Sequence, residues 1–172
     1  QRMLQALASH IREVPEDARA RILTAGYYGE EGRAEDAMRE ANLAMTLRPN
    51  EATVLYNAAC AFCSINRKAE AMDAIGKAWR AGFRDADWAR RDPSLSLIHD
   101  EPEFQKTAQA ISAIRSFTVA LIIWLVARPV ANVFGEPQAG WAFEVLALVP
   151  LLRGFVHLDT ARLQRTMNFR PT

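Results

Sequence analysis

The chain has 172 residues, of which 50% are apolar and 24% are charged, a composition that can bury the core of one or two domains. Its 21 Lys and Arg residues face 20 Asp and Glu residues, so it lacks the basic excess that neutralises nucleic-acid phosphates. Residues 1–110 hold 15 basic and 17 acidic side chains, and residues 111–172 hold 6 and 3. We therefore expect no nucleic-acid partner.

An internal repeat of 34 residues occupies the first half of the chain. Shifting the sequence by that period places EEGRAEDAMREANLAM on SINRKAEAMDAIGKAW. The shift pairs Ala37 with Ala71, where two helices would cross closely, and Tyr28 with Phe62, which would fill the space beside them. Pro49 ends the first full repeat. This pattern predicts pairs of helices stacked one after another.

These residues resemble the tetratricopeptide repeat, with half a repeat and two full repeats over residues 1–85. The segment AWRAGFRDADWARRDPSLSLIHDEPEFQ resembles the end-of-group variant found in bacterial signalling proteins, which extends the resemblance to about residue 110. The resemblance implies an all-α solenoid whose open end is covered by capping helices at residues 86–110. The side chains expected to cover that end are Trp88, Leu95, Leu97, Ile98 and Phe104.

The first helix of each repeat lines the concave face of such a solenoid, so the resemblance implies a groove that binds a protein or peptide partner. The expected groove residues are Tyr56, Asn57, Cys60 and Cys63. Asn57 matches the amide that clamps a C-terminal carboxylate in chaperone-binding members, but Ile22 and Gly26 replace the other clamp positions. Peptide docking without the clamp and a purely structural hydrogen bond from Asn57 both remain open.

The two cysteines lie three residues apart within a helical pattern, which gives no disulfide framework and suits a reducing compartment. The chain has no second cysteine pair, and its three histidines are scattered, so a four-ligand zinc site cannot be assembled. We predict that Cys60 and Cys63 are small packing residues. Without a Gly-rich phosphate loop or a nucleophile beside a general base, we also expect no catalytic residues, no cofactor and no enzyme activity.

The second half of the chain is strongly apolar. Residues 116–127 carry no charge, but twelve residues are too few to cross a hydrocarbon core of about 30 Å. The length becomes sufficient if the helix continues through Arg128 to Phe134, and a second apolar segment covers residues 139–158. We predict a hydrophobic helical hairpin over residues 111–172 that lies in a lipid bilayer. The alternative is a soluble hairpin buried against the repeats.

The segment ARPVANVFGEPQAGWAFEVLALVPLLRGFVHLDTARLQRTMNFRPT closely resembles bacterial exporters of the oligosaccharide-flippase and polysaccharide group, over about residues 112–172. The matching motifs are Ala-x-x-Phe-Gly-Glu-Pro at 131–137, Leu-Leu-Arg-Gly at 151–154 and Gln-Arg-x-x-x-Phe-Arg at 164–170. Arg128 departs from the family pattern because it interrupts an Ala-Pro pair. The resemblance covers about two membrane spans, whereas members of that family have a dozen or more. We therefore expect this chain alone to transport nothing.

The charges that flank the two apolar segments predict an orientation. Arg115 precedes the first segment, and Arg162, Arg165 and Arg170 follow the second, while the turn between them carries Glu136. The positive-inside rule then places both ends of the hairpin in the cytoplasm and the turn outside. We predict an inner-membrane protein with cytoplasmic repeats, with a wholly cytoplasmic, soluble repeat protein as the alternative.

The sequence favours a non-enzymatic protein-interaction scaffold that the hairpin can tether to the inner membrane. The alternative is a fragment of a polysaccharide or lipid-linked oligosaccharide exporter joined to a repeat segment. The start at Gln1 without a Met or a leader, the lack of a linker near residue 110 and the end at Thr172 suggest a fragment or a reading frame that joins pieces of two genes. The alternative is a natural membrane-tethered repeat protein.

Overall fold

The computed structural model describes residues 2–135, 138 and 140–152. The described residues form eight α-helices and one short 3-10 helix and contain no β-strand, so the predicted all-α class is confirmed for them. The elements are α1 (Arg2–Glu13), α2 (Ala18–Glu30), α3 (Ala34–Leu47), α4 (Ala52–Ser64), α5 (Lys68–Arg80), α6 (Ala86–Arg91), η1 (Pro93–Leu95), α7 (Pro102–Val133) and α8 (Gly140–Leu146).

The chain divides into two compact units, Gln1–Lys106 and Thr107–Thr172. The division falls within α7, which continues as one helix from the charged part of the sequence into the apolar part.

The helices of two pairs in the first unit start 34 residues apart, since α2 and α4 start at residues 18 and 52 and α3 and α5 start at residues 34 and 68. Each pair turns on one residue in the left-handed conformation, Gly32 with φ 73° and Asn66 with φ 59°. In both turns the next backbone N–H donates to the carbonyl five residues earlier, at 2.8 Å. The same helix-ending hydrogen-bond pattern therefore closes both pairs.

Small side chains fill the contacts between these helices. Within the first unit, α2 packs on α3, α4 packs on α5, and α2 lies beside α4. Ala37 and Ala71 are fully buried, as the crossing predicted from the sequence requires. Phe62 is also buried, whereas its counterpart Tyr28 is half-buried and lies beneath the Arg33 guanidinium at 4.1 Å. The two pairs therefore share alanine crossings but differ in the aromatic beside them.

Leucine at either crossing position should destabilise the first unit. Ala37→Leu and Ala71→Leu add methylenes where the surrounding helices leave no exposed surface, and we expect each to lower the free energy of unfolding by about 1–3 kcal/mol. Ala69→Leu is the matched control because Ala69 is exposed on the same helix as Ala71. Thermal melting of the full chain in mild detergent measures the effect. Melting temperatures equal to that of the control would contradict the tight crossing.

The first helix pair contains an ion pair that the second pair replaces with apolar side chains. Arg21 Nη1 lies 2.6 Å from Glu40 Oε2, and the two side chains are only 13% and 11% exposed. The residues 34 positions further on are Leu55 and Ala74, and both are buried. A shielded ion pair and an apolar pair can have similar stability, so this exchange is compatible with one shared backbone arrangement.

The segment after α5 covers the second helix pair with a small apolar cluster. Leu95, Ile98 and Phe104 are fully buried, and the Phe104 ring centroid lies 5.2 Å from that of Trp79. Lys68 Nζ lies 2.5 Å from Glu101 Oε1, which connects the start of α5 to the residue before α7. These contacts hold the segment against α5.

The prediction that Trp88 belongs to this cluster was wrong. Trp88 is 53% exposed, because the short helix α6 buries Ala86 and Ala89, three residues apart, and Trp88 lies on its other side. Leu97 is only half-buried. Trp79, on α5, provides the buried indole that we expected from Trp88.

The second unit contains the apolar part of α7, a turn and α8. The helix runs through Arg128 and Pro129 to Val133, close to the end predicted from the sequence, and Gly135 in the turn has φ 74°. A Cβ placed on Gly140 would lie 3.9 Å from the Ala131 Cβ, so the start of α8 packs closely on α7. Half of the predicted motif at 151–154 and all of the predicted motif at 164–170 lie outside the described residues.

The surface of this unit is apolar and exposed. Within the described residues, α7 is the one helix with the length and composition to cross a membrane; its most apolar 18-residue window has a mean hydropathy of 2.0 and is 11% buried. The apolar helical stretch Gly140–Leu152, which begins with α8, is shorter than a span. So little burial differs from what the core helix of a soluble protein would have.

Candidate functional site

A surface groove of about 530 Å³ opens between α2 and α4 in the first unit. One face of α2 provides the first wall, which consists of Ile22, Leu23, Gly26, Tyr27 and Glu30. The facing side of α4 provides the second wall, which consists of Asn57, Cys60, Ala61, Cys63 and Ser64. Pro93, Ser94 and Ser96, in and just after η1, close one end.

The two walls use equivalent positions of the 34-residue period. Leu23 corresponds to Asn57, Gly26 corresponds to Cys60, and position 30 corresponds to position 64. The groove is therefore produced by the repetition of one helix face, rather than by a local irregularity.

The structure brings three of the four predicted groove residues together. Asn57, Cys60 and Cys63 line the groove, whereas Tyr56 lies behind it and is 6% exposed. The Tyr56 ring stacks on Phe83 with centroids 4.4 Å apart, and its hydroxyl donates to Asp92 Oδ2 at 2.5 Å. Tyr56 therefore fixes the wall of the groove and offers little surface to a ligand.

Asp92 connects the groove wall to the segment after α6. Its carboxylate accepts from the Tyr56 hydroxyl and, at 2.9 Å, from the Ser94 backbone N–H at the start of η1. Burial alone would raise the pKa of Asp92, but the hydrogen bonds from Tyr56 and Ser94 favour the ionised form and lower the pKa overall. The carboxylate thus holds η1 at the end of the groove.

Breaking this connection should cost stability in a pH-dependent way. Tyr56→Phe removes the short hydrogen bond to Asp92 Oδ2 and leaves that buried oxygen a weak contact with Cys60 Sγ at 4.0 Å, so we expect a loss of about 1–3 kcal/mol at pH 7. Because the folded-state pKa of Asp92 is lowered, its contribution is present above the unfolded pKa of about 3.9 and is lost as the pH falls through the folded-state pKa.

Urea unfolding of the full chain at pH 7 and at pH 2.5, about one unit or more below that unfolded pKa, measures this effect. The difference between Tyr56→Phe and the parent should shrink at the lower pH. Asp92→Asn is the control because its amide does not titrate in this range. A difference that is the same at both pH values would contradict the assignment to Asp92.

The groove cysteines are neutral at physiological pH. Burial is the main cause that raises the pKa of the Cys60 thiol to about 12 and that of Cys63 to about 11, and the nearby Asp92 carboxylate adds to both effects. Thiols with raised pKa values are poor nucleophiles and poor metal ligands. In the part of the chain that the structure describes, no three His, Cys, Asp or Glu side chains group to hold a metal ion. The predicted absence of a cofactor stays a prediction.

The second unit carries a second polar feature, an ion pair between its two helices. Arg128 Nε donates to Glu144 Oε1 at 2.7 Å, joining α7 to α8. Both residues lie among exposed apolar side chains, including Trp124, Leu125 and Trp141. The pair leaves this part of the hairpin without net charge.

One protein family matches the part of the chain that contains this unit. The family described as "Polysaccharide biosynthesis protein" matches residues 97–172. No curated protein and no solved structure matches the chain. The match supports the resemblance of residues 112–172 to polysaccharide exporters, and it also covers the first turns of α7. It does not extend to the two helix pairs, where the tetratricopeptide repeat stays a prediction.

Proposed function

We propose that this chain acts in polysaccharide biosynthesis as a membrane-attached protein, with residues 97–172 forming part of an exporter-type helix bundle. The observation that carries the proposal is the family match over those residues. The exposed apolar surface of α7 supports it, because side chains of this size and number need lipid or further helices around them.

Transport by this chain alone is not part of the proposal. An export pathway needs many helices that enclose a cavity, and the one long apolar helix and its shorter partner among the described residues cannot do so. The hairpin would instead pack against neighbouring membrane helices, and the Arg128–Glu144 pair would face them or the membrane interface.

The proposed orientation places the first unit in the cytoplasm and the turn of the hairpin outside. The exposed residue Gln138 lies in the turn segment, and Gln138→Cys in a Cys60→Ala, Cys63→Ala background gives a single reactive thiol. It should react with an impermeant maleimide added to intact cells. Asn50→Cys, in the exposed loop between α3 and α4, is the matched control and should react only after lysis.

The same cells test membrane attachment, because the parent chain should stay in the pellet after extraction with alkaline carbonate. Release of the chain by alkali, together with labelling of Gln138→Cys only after lysis, would reject the membrane hairpin and favour a soluble helical protein.

A second candidate function concerns the first unit, which we propose to be a tetratricopeptide-type scaffold that docks a partner peptide without catalysis. It is favoured by the helix pairs that repeat every 34 residues and by the groove that their equivalent faces form. A peptide laid between α2 and α4 would contact both walls, as helix-lined grooves hold their ligands.

The two functions belong to one protein only if the units belong to one gene. Sequencing the source DNA across codons 100–120 decides this point. An uninterrupted reading frame supports a membrane-tethered scaffold, whereas a frameshift or a junction there would assign the two units to separate proteins.

A further inference from the structure

The side chains that line the groove between α2 and α4 give it a net negative charge. Glu30 is the one charged side chain in its described lining, and no Lys, Arg or His lines either wall. Glu30 is exposed and has no ion-pair partner among the described residues. Two acidic side chains of the neighbouring helix α3 differ, since Asp36 lies 2.6 Å from Arg33 and Glu40 lies 2.6 Å from Arg21.

The rest of the lining does not change this charge. Cys60 and Cys63 are neutral thiols, and Asn57 and Ser64 offer uncharged donors and acceptors. An acidic ligand, including a C-terminal carboxylate, would meet Glu30 and no compensating cation. A cationic ligand group would instead find an exposed carboxylate at the edge of a shaped groove.

The α2 wall also offers an apolar surface beside the charge. Leu23 is 53% exposed, Tyr27 is half-exposed, and both lie on the same helix face as Glu30, at spacings of four and seven residues from Leu23. Seven residues of helix rise about 10 Å, which an extended peptide covers in about three residues. A Lys or Arg stem can bridge the remaining offset along this apolar surface.

We propose that the groove binds a peptide segment of a partner protein in which a Lys or Arg lies two to four residues from a large aliphatic residue. The cation pairs with Glu30, and the aliphatic side chain packs on Leu23 and Tyr27. This inference rests on the proposed docking function of the first unit and specifies its ligand.

Gly26 provides a way to close the groove without disturbing the fold. A Cβ placed on Gly26 would meet no atom within 4 Å, and Gly26 lies within α2 opposite Cys60. Gly26→Leu therefore fills the groove and also gains helix propensity, worth up to about 1 kcal/mol. Gly76→Leu is the matched control: it lies within α5 outside the groove, and its added Cβ would meet only the flexible end of Arg80 at 3.5 Å.

The probe is a phage-displayed library of random dodecapeptides, selected on the full chain in detergent micelles. Enriched peptides are then synthesised and titrated by fluorescence anisotropy. We expect them to share the basic and aliphatic pattern. Glu30→Gln should weaken binding about 2–5-fold and Glu30→Lys about tenfold, more at low salt than at high salt. Gly26→Leu should weaken it at least about tenfold, because it fills the groove that the ligand would occupy.

Glu35→Lys is the control for charge, because Glu35 is exposed on α3 and does not line the groove. It and Gly76→Leu should leave the affinity within about twofold. Peptides without a basic residue that are blocked by Gly26→Leu but indifferent to Glu30→Lys would overturn this inference and leave the docking function intact. No enrichment, or binding that Gly26→Leu does not weaken, would overturn both.

Discussion

Phe104→Ala should lower the free energy of unfolding of the first unit by about 3–5 kcal/mol, whereas Trp88→Ala should change it by less than about 1 kcal/mol. Phe104 is fully buried, and its ring centroid lies 5.2 Å from that of Trp79 and 5.7 Å from that of His99. Removing the ring leaves a cavity between these neighbours. Trp88 is 53% exposed, so its truncation empties no such space.

Urea unfolding of the full chain, followed by circular dichroism, measures both variants without relying on indole fluorescence. Trp88→Ala is the control because it removes a larger side chain from the adjacent segment. A loss for Trp88→Ala equal to that for Phe104→Ala would mean that α6 packs through its tryptophan, contrary to its exposure. A loss below about 1 kcal/mol for Phe104→Ala would contradict the buried cluster.

The helix boundaries of the first unit could be predicted because local chemistry repeats with the period. Gly32 and Asn66, both residue types that tolerate a positive φ, stand at equivalent turns, and alanines stand at equivalent crossings. Trp88 was assigned incorrectly because hydrophobicity alone cannot rank two tryptophans. The spacing of Ala86 and Ala89, three residues apart, would have identified the buried face of so short a helix.

The groove could be predicted on one wall only. Asn57, Cys60 and Cys63 were identified on α4, and applying the same period to the first two would have identified Leu23 and Gly26 on α2. Glu30 corresponds to Ser64, which the sequence did not single out. The bond between Tyr56 and Asp92 could not be predicted in this way. It joins residues 36 positions apart, and it depends on how the segment after α6 folds back, which no local pattern encodes.

The second unit has a pairing that the sequence predicted only in general terms. From the apolar segments alone, Glu144 is expected to face a partner helix and Arg128 to reach towards the membrane interface. The structure places their side chains 2.7 Å apart. Since this contact joins two helices across a turn, the apolar pattern of each segment alone does not reveal it.

Removing one member of this ion pair should weaken the attachment of the hairpin to the membrane. Arg128 lies six residues before Phe134, about 9 Å along the helix, which places its Cα inside a hydrocarbon core of about 30 Å when the turn lies at the interface. An unpaired charge at such depth is costly, whereas a charge pair with a short contact costs less. Glu144→Leu leaves the Arg128 guanidinium unpaired there.

We expect Glu144→Leu to reduce the ratio of alkali-resistant to alkali-released chain about tenfold, a value below that for a fully buried pair because the Arg128 side chain is 79% exposed and can reach the interface. The double variant Arg128→Leu with Glu144→Leu should retain the parental ratio, as should the exchange Arg128→Glu with Glu144→Arg. Asn132→Leu is the control for added hydrophobicity, since Asn132 is exposed on α7 and takes no part in the pair. If Glu144→Leu resists extraction as well as the double variant does, the ion pair has no role in holding the hairpin in the membrane.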